Sequence, residues 1–231
     1  MIAQLCLIAP AAQASAVLER LGQAGLGLPV FPAEAAAALP PAPTADSTLV
    51  LINPGNMAAY QQHLAVARQG GWRLLDLAVN LHNPFGKTMG WMVAAGGNHD
   101  DFALATPVLD ALAPPFPKAW LHAGGPGAGA FLNSIASGWL AQSESVWQWL
   151  LHALQQPGAS SFDLQSWQTL IDHSLTHLQD DARSYLAIDT GPFQPWFADQ
   201  CALLLNPLTR ESPARQLANW FLAAQAVNPK P

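Results

Sequence analysis

Few residues in this chain have both the types and the spacing that chemistry needs. His173 and His177 stand four apart in a helical stretch, so both imidazoles fall on one face and can reach one metal ion, with Asp172 or Asp180 nearby. No HExxH glutamate accompanies them and no third ligand is evident, so a solvated helix face is the expectation and no metal is assigned. Gly124-Gly125-Pro126-Gly127-Ala128-Gly129 precedes a long helical pattern, where bare backbone amides can hold an anion. It lacks the Lys-Ser/Thr of a P-loop, and a tight strand-to-helix turn explains its glycines equally well. Glu34 falls roughly 20 residues after the first turn, where a dinucleotide-binding fold puts an acid on the ribose hydroxyl. A helix start explains it as well. There is no GxSxG elbow, and neither Cys6 nor Cys201 has a neighbouring His in sequence, so nucleophilic catalysis has no support. Trp139, Trp147, Trp149, Trp167, Trp196 and Trp220 could stack on a ligand, but core or subunit interface is the expectation for most of them.

These side chains need a scaffold, and 231 residues are enough for one large domain or two small ones. Only 10% of the residues are charged, against about a quarter in an average domain, while 51% are hydrophobic. With 17 Gly and 20 Pro, the reading is a compact, proline-punctuated globule. Nine Lys and Arg are scattered among fifteen Asp and Glu, giving a net charge of −6, so neither nucleic acid nor an anionic membrane is an expected partner. The two cysteines lie far apart without CxxC spacing, which fits a reducing compartment and argues against a structural zinc site. The opening MIAQLCLIAPAAQASA has no Lys or Arg before a short apolar run interrupted by Gln4, so it reads as a buried strand and not as a signal peptide. No segment approaches the roughly 18–20 apolar residues of a membrane span. The expected location is the cytoplasm.

Short apolar runs alternate with helical patterns through the first half. Strands are expected at Leu5 to Ala9, Leu28 to Phe31, Thr48 to Ile52, Trp72 to Val79, Trp91 to Ala95 and Trp120 to Ala123. Helices are expected at Ala14 to Ala24, at the Ala-rich stretch after Pro32, at Met57 to Gln69 and at Asp100 to Leu112, with a turn at Asn53-Pro54-Gly55-Asn56. That alternation implies a mostly parallel sheet covered on both faces. From Gly129 the pattern is helical almost to the end, with breaks at Pro157-Gly158, Gly191-Pro192 and Asn206-Pro207. The expected organisation is an α/β domain at 1–123 followed by an all-helical domain at 124–231.

Several motifs in this order resemble those of the 6-phosphogluconate dehydrogenase group of β-hydroxyacid dehydrogenases. LINPGN, Leu51 to Asn56, is similar to the group's IDGGN turn, and WRLLDLAV, Trp72 to Val79, to its FVDVG strand. Gly86 and Gly90 keep the spacing of its GxxxG, WMVAAGG matches its MxGG strand, and ATPVLDALAP is similar to PxLxxLAP. HAGGPGAGAF, His122 to Phe131, is similar to GPxGAGHF at the entry to the interdomain helix. AIDTG, Ala187 to Gly191, and ESPARQLANWF, Glu211 to Phe221, look like remnants of the DSGEGRW region and the final helix. The resemblance implies a shortened Rossmann-like α/β domain, a helical C-terminal domain and a homodimer formed through that domain.

The departures from this pattern concentrate in one cleft. The nucleotide fingerprint GxGxxG falls on Ala9, Ala11 and Ala14, whose methyl groups obstruct the tight turn and the approach of pyrophosphate. A strand-helix-strand unit of order 30 residues is missing after Val30 to Pro32. Aligned from GAG, the group's catalytic Lys falls on Asn133, its substrate His on Ala136, its Asn on Ser137 and its catalytic Glu on Leu140. None of these exchanges a proton near neutral pH. Asn56 is retained, and the substrate loop falls near Asn80, Leu81 and His82, with His82 a candidate acid or base.

The leading expectation is a degenerate member without ordinary NADP-dependent oxidative decarboxylation and without a cofactor. It would bind a small neutral or carboxylated ligand among Asn56, Asn80, His82, Asn133 and Ser137, or serve assembly. The alternative is an NAD(P)-dependent oxidoreductase for a small hydroxy acid, binding its NAD or NADP in an altered way through the glycine-rich loop, Glu34 or His82. A third reading is a partner subunit that regulates another enzyme.

Overall fold

The computed structural model describes residues 4–155, 164–197 and 211–227. The chain opens with β1 (Leu5–Ala9), α1 (Ala11–Gln23), β2 (Val30–Pro32) and a short 3-10 helix (Ala33–Ala38). It continues through β3 (Thr48–Ile52), α2 (Met57–Gln69), β4 (Arg73–Val79), α3 (Gly86–Met89), β5 (Val93–Gly96), α4 (Phe102–Leu112) and β6 (Leu121–Gly124). Among the described residues three long helices follow, α5 (Ala128–Gln155), α6 (Leu164–Ile188) and α7 (Pro213–Val227). The expected breaks at Pro157-Gly158 and Asn206-Pro207, Cys201, and the side chains of Trp149 and Trp167 lie outside the described residues.

The six strands form one sheet in the order β2-β1-β3-β4-β5-β6. Four of them, β2, β1, β3 and β4, run parallel, and this Rossmann-like sheet is followed by helices as the alternation of elements implies. β5 runs antiparallel to β4, and β6 is parallel to β5. The link from β4 to β5 holds only the single-turn α3, whereas the crossover to a parallel neighbour usually carries a full helix. No strand lies outside β2 among the described residues, and the chain returns through the 3-10 helix to lie beside β1. That return is pinned by Trp72 Nε1 donating to the Pro40 carbonyl at 2.9 Å and by Ala42 N–H donating to that of Gly70 at 2.7 Å.

Every residue of β1 and β3 is buried, because both faces of the sheet are covered. One face packs Val17 and Leu21 of α1 and Phe102, Val108 and Leu109 of α4 against Leu7, Val50 and Leu75. The other packs Met57 and Tyr60 of α2 with Phe131, Leu178, Tyr185 and Phe221 of the long helices against Ile8, Leu49 and Leu51. This second cluster therefore draws side chains from both sides of the Ala123–Gly124 junction. β5 begins two residues later than its apolar run predicts. Trp91 is buried ahead of the strand, its backbone N–H donating to the Leu112 carbonyl at 2.8 Å. Gly86 lies flat against its indole: a Cβ there would stand 1.8 Å from Trp91 Nε1.

Candidate functional site

In an open α/β sheet a ligand crevice forms beyond the strand ends where the connections diverge. Here that point is between β1 and β3, since the chain leaves β1 outward to β2 and leaves β3 the other way to β4. A cleft of about 710 Å³ lies there, roofed by α5. Pro10 and Gln13 line it from the start of α1, Asn53 and Gly55 from the end of β3, Asn80 and His82 from the end of β4, and Met92 and Val93 from the entry to β5. Asn133, Ala136, Ser137, Trp139, Leu140 and Ser143 line it from α5. Those six include all four positions where the resembled group carries its substrate and proton-transfer residues. No Lys, Arg, Asp or Glu lines the cleft among the described residues, and His82 is its one titratable side chain.

The three fingerprint alanines show why a pyrophosphate loop is missing. Ala9 is fully buried in the sheet, and Pro10 alone separates it from α1, which begins at Ala11. Ala11 is exposed on the first turn and Ala14 packs on the core. There is no glycine turn to wrap a phosphate. Glu34 is exposed on the 3-10 helix and does not line the cleft.

Of the five residues expected to hold a ligand, the structure brings Asn80, His82, Asn133 and Ser137 together. Asn133 also ties α5 to the β3–α2 turn, its Nδ2 donating to the Gly55 carbonyl at 3.1 Å. Asn56 is turned to its own helix, where Oδ1 caps α2 by accepting from Ala59 N–H at 2.9 Å. Asp181 of α6 accepts the next free amide of α2, that of Met57, at 3.3 Å, and also accepts from the Ser134 hydroxyl of α5.

Sequence reasoning missed Asn53 and Gln13. Asn53 takes a left-handed backbone, φ 47°, which Asn tolerates better than most residues. Its side-chain amide then extends the ladder: Oδ1 accepts from Val79 N–H at 2.7 Å, and Nδ2 donates to the Val79 carbonyl at 2.9 Å and to Gln13 Oε1 at 3.0 Å. A polar residue directly after the four apolar ones Leu49 to Ile52 was the available signal.

The group that the glycine-rich loop binds is internal, a buried carboxyl. Asp76, fully buried in the middle of β4, accepts from Gly127 N–H at 2.8 Å and Ala130 N–H at 2.7 Å, with Gly129 N–H adding a third bond at the start of α5. Burial pushes its carboxyl up to about 7, against the downward pull of these three amides and of its own backbone N–H. A Cβ at Gly129 would stand 2.3 Å from the Asp76 carbonyl oxygen, and one at Gly125 would stand 2.4 Å from Asp189 Oδ1. Asp189 accepts from the Tyr185 hydroxyl at 2.6 Å and pairs with Arg215 at 3.1 Å. The AIDTG and ESPARQ segments thus converge beneath this loop.

Buried His122 lies outside the cleft lining. Its Nδ1 accepts from Trp196 N–H at 3.0 Å, so Nε2 holds the proton and donates to the Gly124 carbonyl at 3.0 Å. Burial lowers its basicity to about 4. Trp196 packs on Phe102 and His99, whereas Trp139, Trp147 and Trp220 are 66%, 67% and 63% exposed. His173 and His177 lie on α6, with their Nε2 atoms 3.0 Å apart. No helix is long and apolar enough to cross a membrane among the described residues.

No protein-family model and no curated protein matches the sequence. Among solved structures the chain is similar to an imine reductase variant from Myxococcus stipitatus in complex with NAD+, at 17% identity and a TM-score of 0.44, covering 97% of this chain and 94% of that one. It is similar to 3-hydroxyisobutyrate dehydrogenase from Mycobacterium tuberculosis at 15% identity and a TM-score of 0.44, covering 98% and 94%. The enzyme of that name from Salmonella typhimurium gives 15% and 0.42, covering 96% and 94%. The likeness is one of architecture alone.

Proposed function

We propose that this protein binds a small uncharged ligand in the cleft beyond β1, β3 and β4, on a degenerate dehydrogenase-like scaffold that no longer carries out NADP-dependent oxidative decarboxylation. The observation that carries this reading is the lining itself: amides and hydroxyls of Gln13, Asn80, Asn133 and Ser137 beside apolar Met92, Val93, Trp139 and Leu140, with no fixed charge. A carboxylate or pyrophosphate entering there would lose water and gain no cation. An uncharged molecule with an apolar body and one amide or hydroxyl end loses little and finds partners. This narrows the expected ligand from neutral or carboxylated to neutral.

The test uses matched pairs of small molecules that differ only in carrying a carboxamide or a carboxylate, titrated against tryptophan emission, since Trp139 lines the cleft. The reading expects saturable binding confined to the amides. Acids that bind as tightly as their amides would overturn it.

One observation favours the oxidoreductase reading, namely the exposed imidazole of His82 at the mouth of the cleft. That reading requires NAD(P)-dependent turnover of a small hydroxy acid that His82→Ala abolishes. The proposal includes a homodimer through the long helices, supported by the exposed Trp139, Trp147, Leu151 and Trp220 on α5 and α7. It also includes a reducing, cytoplasmic setting, with which the free buried thiol of Cys6 agrees.

A further inference from the structure

We infer that His173 and His177 form a surface chelate for a first-row transition ion of tetragonal geometry, with divalent copper bound most tightly. Both side chains are exposed on α6, one helical turn apart, with their Nε2 atoms 3.0 Å and their ring centroids 4.4 Å apart, the planes nearly perpendicular. Metal–imidazole bonds of about 2.05 Å place two nitrogens roughly 2.9 Å apart at a right angle and roughly 3.3 Å apart at a tetrahedral one. The observed separation, here that of a hydrogen bond between the rings, lies within reach of two cis ligands of one ion, and paired imidazoles with open positions for solvent suit tetragonal copper or nickel. Among divalent first-row ions copper also binds nitrogen ligands most strongly.

The contact as it stands needs one ring to donate from Nε2 and the other to accept there. An ion standing off the line between the nitrogens, about 2.05 Å from each, takes both lone pairs, and each neutral ring then keeps its proton on Nδ1, so binding the neutral pair needs no net proton release. Asp180, the acid next along this face, is held by Arg183 at 2.6 Å. No group of three or more metal-ligating side chains occurs among the described residues, so solvent fills the remaining positions of the ion. The site is separate from the cleft, and it stands whether or not the proposed ligand reading does.

The experiment is a calorimetric titration of copper(II) into the full-length, tag-free protein at neutral pH, with electron paramagnetic resonance of the loaded sample. His173→Ala and His177→Ala retain the fold because both side chains are exposed, and circular dichroism checks this. The expected result is one copper site per chain that weakens about tenfold or more in either variant, since the second imidazole binds intramolecularly. His63→Ala, on α2, should leave it unchanged, and zinc should bind more weakly than copper. The spectrum should be tetragonal with two nitrogen couplings. Copper affinity unchanged in His177→Ala, or coupling to a single nitrogen, would overturn the assignment.

Discussion

Asp76 reaches from the middle of β4 to the first turn of α5, where the amides of Gly127, Gly129 and Ala130 close on a fully buried carboxyl. Its carboxyl titrates near 3.8 when unfolded and near 7 when folded. Between those values the folded state holds a proton that the unfolded state has lost, so this group makes stability fall as pH rises. Buried His122 works the other way. Its basicity drops from 6.5 to about 4, so over that range the unfolded state holds the extra proton and stability falls as pH drops. The two slopes oppose each other in the wild type between about pH 4 and 6.5. Asp76→Asn leaves the histidine uncompensated, so its urea midpoints should fall below pH 6.5 more steeply than the wild type's, by up to about 1.4 kcal/mol per pH unit. Its side-chain NH2 also faces a backbone N–H, which costs about 1–3 kcal/mol at low pH. A variant whose pH profile parallels the wild type's would contradict this account of Asp76.

At the scale of the element, α5 decides how the sheet and the long helices meet. Its first turn must lie flat on β4, and Gly129 is the position where backbone meets backbone: a Cβ would stand 2.3 Å from the Asp76 carbonyl oxygen. Gly129→Ala should therefore destabilise the protein by at least about 1–3 kcal/mol, read as a lower midpoint in chemical denaturation. An unchanged midpoint would show that the two elements can separate without cost. The order of elements was legible in the sequence, because continuous apolar runs and helical spacing alternate through the first half. The direction of β5 was not, since it depends on how little helix the Asn80–Met92 link contains. Four cleft residues, Asn80, His82, Asn133 and Ser137, were legible through their motif positions. Asn53 and Gln13 meet only when the end of β3 comes beside the start of α1, and beyond the polar Asn53 after its apolar run that pairing leaves no local pattern. Asp76 left one, a lone acid inside the apolar run WRLLDLAV that had to find donors somewhere.

For the molecule as a whole, the exposed tryptophans of α5 and α7 predict self-association. Light scattering at micromolar concentration should give twice the 24.5 kDa chain mass, and a monomeric mass would remove the dimer from the proposal. The larger claim concerns what the cleft excludes. Under the proposed function, a strand that passes through Pro10 straight into α1, with no glycine turn and, among the described residues, no cationic side chain on the lining, does not seat a dinucleotide pyrophosphate. The most direct test is an equilibrium titration with NADPH and NADH that follows tryptophan emission, for which nine Trp, one of them on the cleft wall, provide the signal. The account predicts no saturable change up to millimolar nucleotide. Saturation in the micromolar range would contradict it and return the cleft to dehydrogenase chemistry.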